Sequence, residues 1–264
     1  MTFRLRHPKD GRVHLSDAKR MAITPAHARY FCEHPKPPTP AMTFGSLCDA
    51  LTLDVGKRNV RVYEGATRRG KEWDAFQADC PADALIVKRD EFDTATAVAA
   101  AVHNDPVAGP LLRGGEHQRV VQWDMHGLPW GTGIAGERGG FDVLGPDYIA
   151  DLKTTTDVEP GAWSRQARRM HYLEQLYCYG QGALAIGHKI ANYYLVGVEA
   201  KPPHCVTVLQ VPQHEIDDAG KVVYGWCERI KQCEAADFWP GHAQSVVEIE
   251  PRSAWDMAAE AEDA

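Results

Sequence analysis

Three side chains within residues 140–155 have the types and spacing to do chemistry together: Asp142, Asp151 and Lys153. Asp142 falls in one short apolar run, 140–144, and Asp151 and Lys153 in the next, 148–154, with the turn signal Gly145-Pro146-Asp147 between them. Residues i and i+2 of a strand share a face, so Asp151 and Lys153 point the same way and a hairpin can bring Asp142 alongside. Their neighbours Phe141, Val143, Leu144, Ile149 and Leu152 are apolar. Two carboxylates in such surroundings repel and lose hydration, which is costly unless a cation joins them. A hard divalent cation resolves this, and Mg²⁺ usually takes one or two carboxylates plus phosphate oxygens. A lysine two residues on can orient a metal-bound water, help deprotonate it, or offset charge on a phosphate. The spacing alone fits a surface hairpin carrying an ordinary Asp–Lys pair equally well.

The elements that must position these groups follow from periodicity and turn signals. Runs at 119–124, 130–135, 140–144 and 148–154 predict an antiparallel meander, broken at His126-Gly127, at Glu137-Arg138-Gly139 and at Gly145-Pro146-Asp147. One long helix is expected from Pro160 to Ile186, with proline in its first turn and Gly187 just past its end. At about 100° per residue, Trp163, Ala167, Met170, Leu173, Tyr177 and Leu184 share one side, the core face. Arg165, Arg168, Arg169, Tyr172, Gln175 and Tyr179 share the other. That stripe reads either as a solvated helix face or as arginines meeting phosphates while Gln175 and Tyr179 approach the carboxylates. Strands at 192–198 and 205–211 and a helix at 215–233 complete the body. Upstream, a short helical region over 15–30 entered at Ser16 and helical spacing of Phe44, Leu47 and Leu51 precede an irregular stretch, 54–88, with short strands at 60–63 and 84–87. Asp90 is expected to cap a helix bearing Phe92, Ala95, Ala99 and Val102. The order strands, helix, strands, helix implies an α/β core behind a helical N-terminal layer.

Composition bounds the alternatives. With 264 residues, 44% hydrophobic and 25% charged, the chain is an ordinary globular one, of one large domain or two small ones, rather than disordered, collagenous or coiled-coil. No apolar run approaches the ~18 residues that cross a bilayer, and the N-terminus lacks the apolar core of a secretory signal. Seven irregularly spaced cysteines are expected to be reduced thiols of a cytoplasmic protein. The net charge of −7 argues against a nucleic-acid partner until its distribution is considered. Residues 242–264 hold six acids and one base, Arg252, which leaves the rest of the chain at −2, and the local field is what matters to DNA. Gly131–Gly136 is formally GxGxxG, but Glu-Arg-Gly-Gly and a strand follow it rather than a helix, so it reads as hairpin and bulge geometry and not as a dinucleotide site. The sequence contains no paired CxxC, no HExxH and no GxSxG.

Asp142 … Asp151-Leu152-Lys153 resembles the PD-(D/E)xK nuclease signature, with Phe-Asp in place of Pro-Asp. Gln175-Leu-Tyr-Cys-Tyr179 matches the QxxxY motif that follows the lysine strand in RecB-like nucleases. Leu15-Ser16-Asp17-Ala18-Lys19, Thr24-Pro25-Ala26-His27, Phe44-Gly45-Ser46-Leu47 and Cys233 … Phe238-Trp239-Pro240-Gly241 are similar in order and spacing to the RecE-like exonucleases (exonuclease VIII type) of phages and prophages. The resemblance spans residues 14–241. It implies a restriction-endonuclease-like α/β core, a mixed central sheet flanked by helices, with the helical N-terminal layer. It also implies one domain over 1–241 (helical layer over 1–110, catalytic core over 111–241) followed by the acidic tail 242–264.

The function it implies is a metal-dependent 5′→3′ double-stranded DNA exonuclease of the bacterial host cytoplasm, using Mg²⁺ or Mn²⁺ and leaving 3′ single strands for phage-type recombination. Asp142, Asp151 and the Leu152 carbonyl would hold the metal, joined by Glu116, which matches a family acid facing the metals. Lys153 would serve the attacking water, and Gln175 and Tyr179 would position it or the strand. The family's GxxxH, counted from Gly45, ends here at Asp49, a carboxylate in place of histidine and still a hard metal ligand. Arg165, Arg168 and Arg169 would hold the DNA backbone. The implied partners are duplex DNA ends, a single-strand annealing recombinase and further copies of the chain in a ring, with no membrane. An endonuclease of the same superfamily, and a catalytically silent DNA- or protein-binding module on the same fold, are the alternatives.

Overall fold

The hairpin that carries the acidic residues sets the geometry of the sheet. In the computed structural model, which describes residues 3–53, 59–133 and 139–248, the chain reverses at Gly145, whose N–H donates to the Tyr148 carbonyl at 2.8 Å. Strand β6 (Phe141–Leu144) leads into this turn and β7 (Tyr148–Thr155) leaves it. Their antiparallel pairing covers only Val143–Ala150 and Leu144–Ile149. Beyond that, at Asp142 and Asp151, the strands part, and the Leu152 N–H is taken by Asp142 Oδ2 at 2.9 Å. A side chain thus completes a ladder that the backbone leaves open, and a notch between two strands is lined by the two acids.

The elements run α1 (Leu15–Ala18), a 3₁₀ turn (Lys19–Ala22), α2 (Pro25–Glu33), α3 (Pro40–Thr52), β1 (Val60–Tyr63), α4 (Lys71–Asp79), β2 (Leu85–Lys88), α5 (Arg89–Asn104) and α6 (Ala108–Arg113). Then follow β3 (Glu116–Arg119), β4 (Gln122–Met125), β5 (Leu128–Gly131), β6, β7, α7 (Pro160–Arg169), α8 (Tyr172–Ala185), β8 (Asn192–Glu199), β9 (Val206–Val211) and α9 (Gln213–Ala236). The central five-stranded sheet has the order β3-β6-β7-β8-β9. It is mixed: β7 and β8 are parallel, joined by the α7–α8 crossover, and the other pairs are antiparallel. Helices cover both faces. One core gathers Phe141, Ile149 and Leu195 against Trp163, Leu176, Trp226 and Ile230 of α7, α8 and α9. The other packs Val143, Ala150, Leu152 and Val196 against Leu47 of α3, Val98 and Val102 of α5 and Leu112 of α6. The expected α/β core with a helical N-terminal layer is the observed fold.

Several local expectations are corrected. The meander does not form one sheet. Among the described residues β4 and β5 form a two-stranded sheet of their own, with Val13 bridged to Trp130 of β5, and the run 119–124 is cut between Arg119 and Gln122, so of the meander only β3, β6 and β7 line up in the central sheet. The long helix is two helices. Met170 ends α7 and His171 takes a left-handed conformation (φ 61°) before α8 begins. Met170 and Leu184, expected in the core, are exposed, and Tyr179, expected on the polar stripe, is buried. The helix expected after an Asp90 cap begins two residues earlier, at Arg89, capped by Lys88, whose N–H donates to Glu91 at 2.8 Å. The region 15–30 breaks into three pieces because Thr24 caps a fresh helix at Pro25, its Oγ1 accepting from His27 N–H at 3.2 Å. Helices α4 and α6 lie in stretches where none was expected. All seven cysteines are free. In the GxGxxG stretch Gly131 closes β5 and Gly133 bridges Gly139, while 134–136 lie outside the described residues, as does the tail beyond 248.

Candidate active site

Strand alternation on β7 decides which groups meet. Ala150 and Leu152 point into the α3–α5 core, so Asp151 and Lys153 point to the α8 side. Asp151 is 1% exposed, and Lys153 Nζ stands 2.5 Å from its Oδ2. Asp151 Oδ1 is buried and has no hydrogen-bond partner among the described residues. Asp142 accepts from Leu152 N–H at one oxygen and from Gln118 Nε2 at the other, at 3.1 Å. Burial, then the negative charges of Asp151 and Asp49, push the Asp142 carboxyl well above the ordinary carboxylate range, against the pull of Lys153 and the Leu152 N–H. For Lys153, burial works against the charge, but Asp151 and Asp142 outweigh it and hold the ammonium protonated, above the usual lysine range. The Lys153 ammonium lies 5.1 Å from the Tyr172 ring centroid, a cation–π contact.

Asp49 reaches the site from α3. Gly45, one turn earlier on the same helix, lies against β7, where a Cβ would meet Thr154 Oγ1 at 3.4 Å. That close approach brings the half-buried Asp49 near enough for its charge to act on Asp142. From α8, Gln175 Nε2 donates to Tyr179 Oη at 2.8 Å, and the Tyr179 ring packs on Phe141 with centroids 4.9 Å apart. Burial first, and then Asp151 and Asp142, push the Tyr179 hydroxyl up, so it stays a neutral donor. A cavity of about 200 Å³ adjoins these two residues, lined also by Ser16, Lys19 and Thr132. Burial, followed by the charge of Lys153, lowers the Lys19 ammonium below its usual range.

The residues from 15 to 249 match the family model described as a PDDEXK-like domain of unknown function (DUF3799). The chain belongs to this PDDEXK-like family. It shares its fold with the crystallised "Putative exonuclease" of Eubacterium rectale, at TM-score 0.62 and 16% identity over 93% of this chain and 92% of that one. No curated protein matches the chain in sequence. The PD-(D/E)xK superfamily is therefore the chain's place.

Within the PDDEXK-like fold, Asp142, Asp151, Leu152, Lys153, Asp49, Gln175 and Tyr179 converge around the notch. The other candidates are held by other partners or lie on another helix. Glu116 is exposed at the start of β3 and its carboxylate pairs with Arg119. The position between the pairs His117–Val143 and Arg119–Phe141, opposite Asp142, is held by Gln118 in a left-handed backbone conformation (φ 53°). Arg165, Arg168 and Arg169 are exposed on α7, on a different helix from Gln175 and Tyr179. Arg168 Nη2 is 2.5 Å from Glu215 Oε1 at the start of α9. Sequence reasoning missed Gln118, whose polar side chain in a strand facing an acid was the available signal, and gave Lys19 no role of its own.

Proposed function

We propose that this PDDEXK-like chain is a metal-dependent DNA nuclease, and within that class a RecE-type exonuclease that digests duplex ends 5′→3′ and leaves 3′ single strands for recombination. The observation that carries the reading is the orphaned Asp151 Oδ1, buried beside a second enclosed carboxylate with Lys153 as the adjoining cation. A carboxylate oxygen buried without a donor is costly, and a set of hard oxygen donors fits a small divalent cation. Asp142, Asp151 and the Leu152 carbonyl would hold it, with Asp49 as a further acid. When bound there, Mg²⁺ or Mn²⁺ supplies Lewis acidity to the scissile phosphate and to the attacking water.

The chain's own groups do the rest. Lys153, kept protonated, orients the water and offsets phosphate charge. Its side chain is 20% exposed against 1% for Asp151, so the approach to the notch runs past the ammonium. Gln118 and the Leu152 N–H fix the Asp142 carboxylate. Gln175 holds the Tyr179 hydroxyl, which positions the water or the strand. Lys19 sits near Lys153 at a cost that a phosphate between them would offset, which supports an anionic substrate. Glu116 would have to leave Arg119 to reach a second cation. Arg165 and Arg169 contact the DNA backbone, with Arg168 joining them on leaving Glu215. The reading also includes a ring-shaped homo-oligomer and an annealing partner.

Incubating the protein with Mg²⁺ and end-labelled linear or closed circular duplex tests this. Loss of the 5′ label ahead of the 3′ label, with circles left intact, is expected. Early loss of the 3′ label overturns the polarity, cutting of circles makes the chain an endonuclease, and inertness on both makes it a binding module.

A further inference from the structure

The loop ahead of α1 carries a cluster that the nuclease reading does not use. His7, Asp10 and His14 each present a ligand atom, and the three atoms lie within 4.8 Å of one another. His14 Nε2 is 2.8 Å from Asp10 Oδ2, and His7 Nδ1 is 4.0 Å from Asp10 Oδ1. The imidazoles stack with centroids 4.7 Å apart and planes at 12°. Two further observations bear on the cluster. Asp17, one turn past His14, has a buried Oδ2 with no hydrogen-bond partner among the described residues. Gly131, at the end of β5, lies beside the cluster: a Cβ there would come 3.3 Å from His14 Nε2 and 3.4 Å from Asp10 Oδ2. Its φ is not among the positive ones, so what glycine supplies at this strand position is room next to the ligand atoms.

We propose that His7, Asp10 and His14 form a second metal site, which takes a divalent transition metal of the Zn²⁺ type and leaves its fourth position to water. Two imidazoles and a carboxylate suit such an ion, whereas Mg²⁺ prefers oxygen alone. Tetrahedral bonds of about 2.0–2.1 Å place ligand atoms about 3.4 Å apart, so an ion on this set requires the stacked imidazoles to turn out of parallel until their ring planes converge on it. The site ties His7 and Asp10 of the loop 7–14 to His14, which follows Val13, bridged to Trp130 of β5, and caps the start of α1. His14 also lines the cavity shared by Ser16, Lys19, Gln175 and Tyr179, so the metal braces the wall of that cavity.

The test titrates Zn²⁺ alone against a chromophoric chelator, and Co²⁺ alone for the visible bands of a histidine-ligated tetrahedral ion, in the wild-type chain, His7→Ala, His7→Gln, His14→Gln and Asp151→Asn. Wild type and Asp151→Asn should keep one Zn²⁺ site and the Co²⁺ bands. The histidine variants should weaken Zn²⁺ by about 100-fold or more, beyond the ~10–100-fold that loss of a supporting partner causes, and should lose the bands and the rise in Tm that Zn²⁺ gives. His7 stands on a loop with 27% of its side chain exposed, so its variants are expected to fold, and their circular-dichroism spectra check this. Unchanged Zn²⁺ affinity in the His7 variants overturns the proposal. Loss of the site in Asp151→Asn alone also overturns it, by placing the ion at the notch between β6 and β7.

Discussion

Replacing Asp142 by asparagine separates the two demands on the notch, because it relieves the repulsion between the carboxylates and removes a metal ligand together. The geometry tolerates the change: Asn Oδ1 still accepts from Leu152 N–H, and its NH₂ donates to Gln118 once that amide turns over. Two unit charges at a representative separation of about 5–7 Å, at an effective dielectric of about 20, repel by about 2–3 kcal/mol. Lys153 returns part of that, leaving a net gain of about 1–2 kcal/mol for the metal-free variant at neutral pH, or about 2–8 °C in Tm at 2–4 °C per kcal/mol for a chain of this size. The sign follows from the direction of the shift. A carboxyl whose folded pKa is raised above its ordinary value of 3.8 favours folding below 3.8, and this is lost as pH climbs through the raised folded value. The metal-free wild type should therefore lose stability as pH rises above 4 through that range, and Asp142→Asn should lose less. Thermal unfolding in chelator from pH 4 to 8, repeated with Mg²⁺, reads both effects: wild type gains Tm with Mg²⁺ and the variant does not. A variant that is no more stable than wild type in chelator, and gains as much from Mg²⁺, would refute the reasoning.

Three further outcomes are expected. Gln118→Ala removes one of the two hydrogen bonds on Asp142 and should weaken Mn²⁺ affinity by about 10–100-fold in calorimetry, with the circular-dichroism spectrum preserved; unchanged affinity would detach Gln118 from the site. Gly197→Ala should lower urea stability by about 1–3 kcal/mol, because the new Cβ would lie 2.8 Å from buried Trp163 where α7 seats on β8; an unchanged midpoint would contradict that packing. The double change Arg165→Ala with Arg169→Ala should reduce the salt slope of DNA binding by about 2, at ~0.9 per phosphate contact, whereas Arg168→Ala should reduce it less because Glu215 already neutralises that side chain; equal slopes in all variants would move the DNA away from α7.

What the sequence made legible was the region governed by short-range rules. The two-residue period of Asp151 and Lys153, the turn at Gly145 and the apolar runs around them are local facts, and the hairpin they specify is the observed one. The QxxxY spacing placed Gln175 and Tyr179 one helical turn apart, as their hydrogen bond shows. The rest depended on tertiary context. Periodicity ran straight through Met170 and His171, since no proline or glycine marks the break between α7 and α8 and the left-handed residue is a histidine. The arginines therefore shared a stripe with Gln175 only on paper. The apolar alternation of β4 and β5 does not tell which partner a strand takes, so a separate hairpin read as belonging to the central sheet. Gln118 faces Asp142 through a register that only the folded sheet defines, while Asp49, from a helix nearly a hundred residues away, reaches the notch because Gly45 lets α3 come close to β7.

The most direct measurement of the central claim is the initial rate of nucleotide release from linear duplex DNA in Mg²⁺, for the wild-type chain and Lys153→Ala side by side. The account predicts Mg²⁺-dependent release by the wild type and a fall of at least about 10³-fold in a variant that still folds, a loss of about 4 kcal/mol of transition-state stabilisation. Equal rates in the two proteins would contradict it.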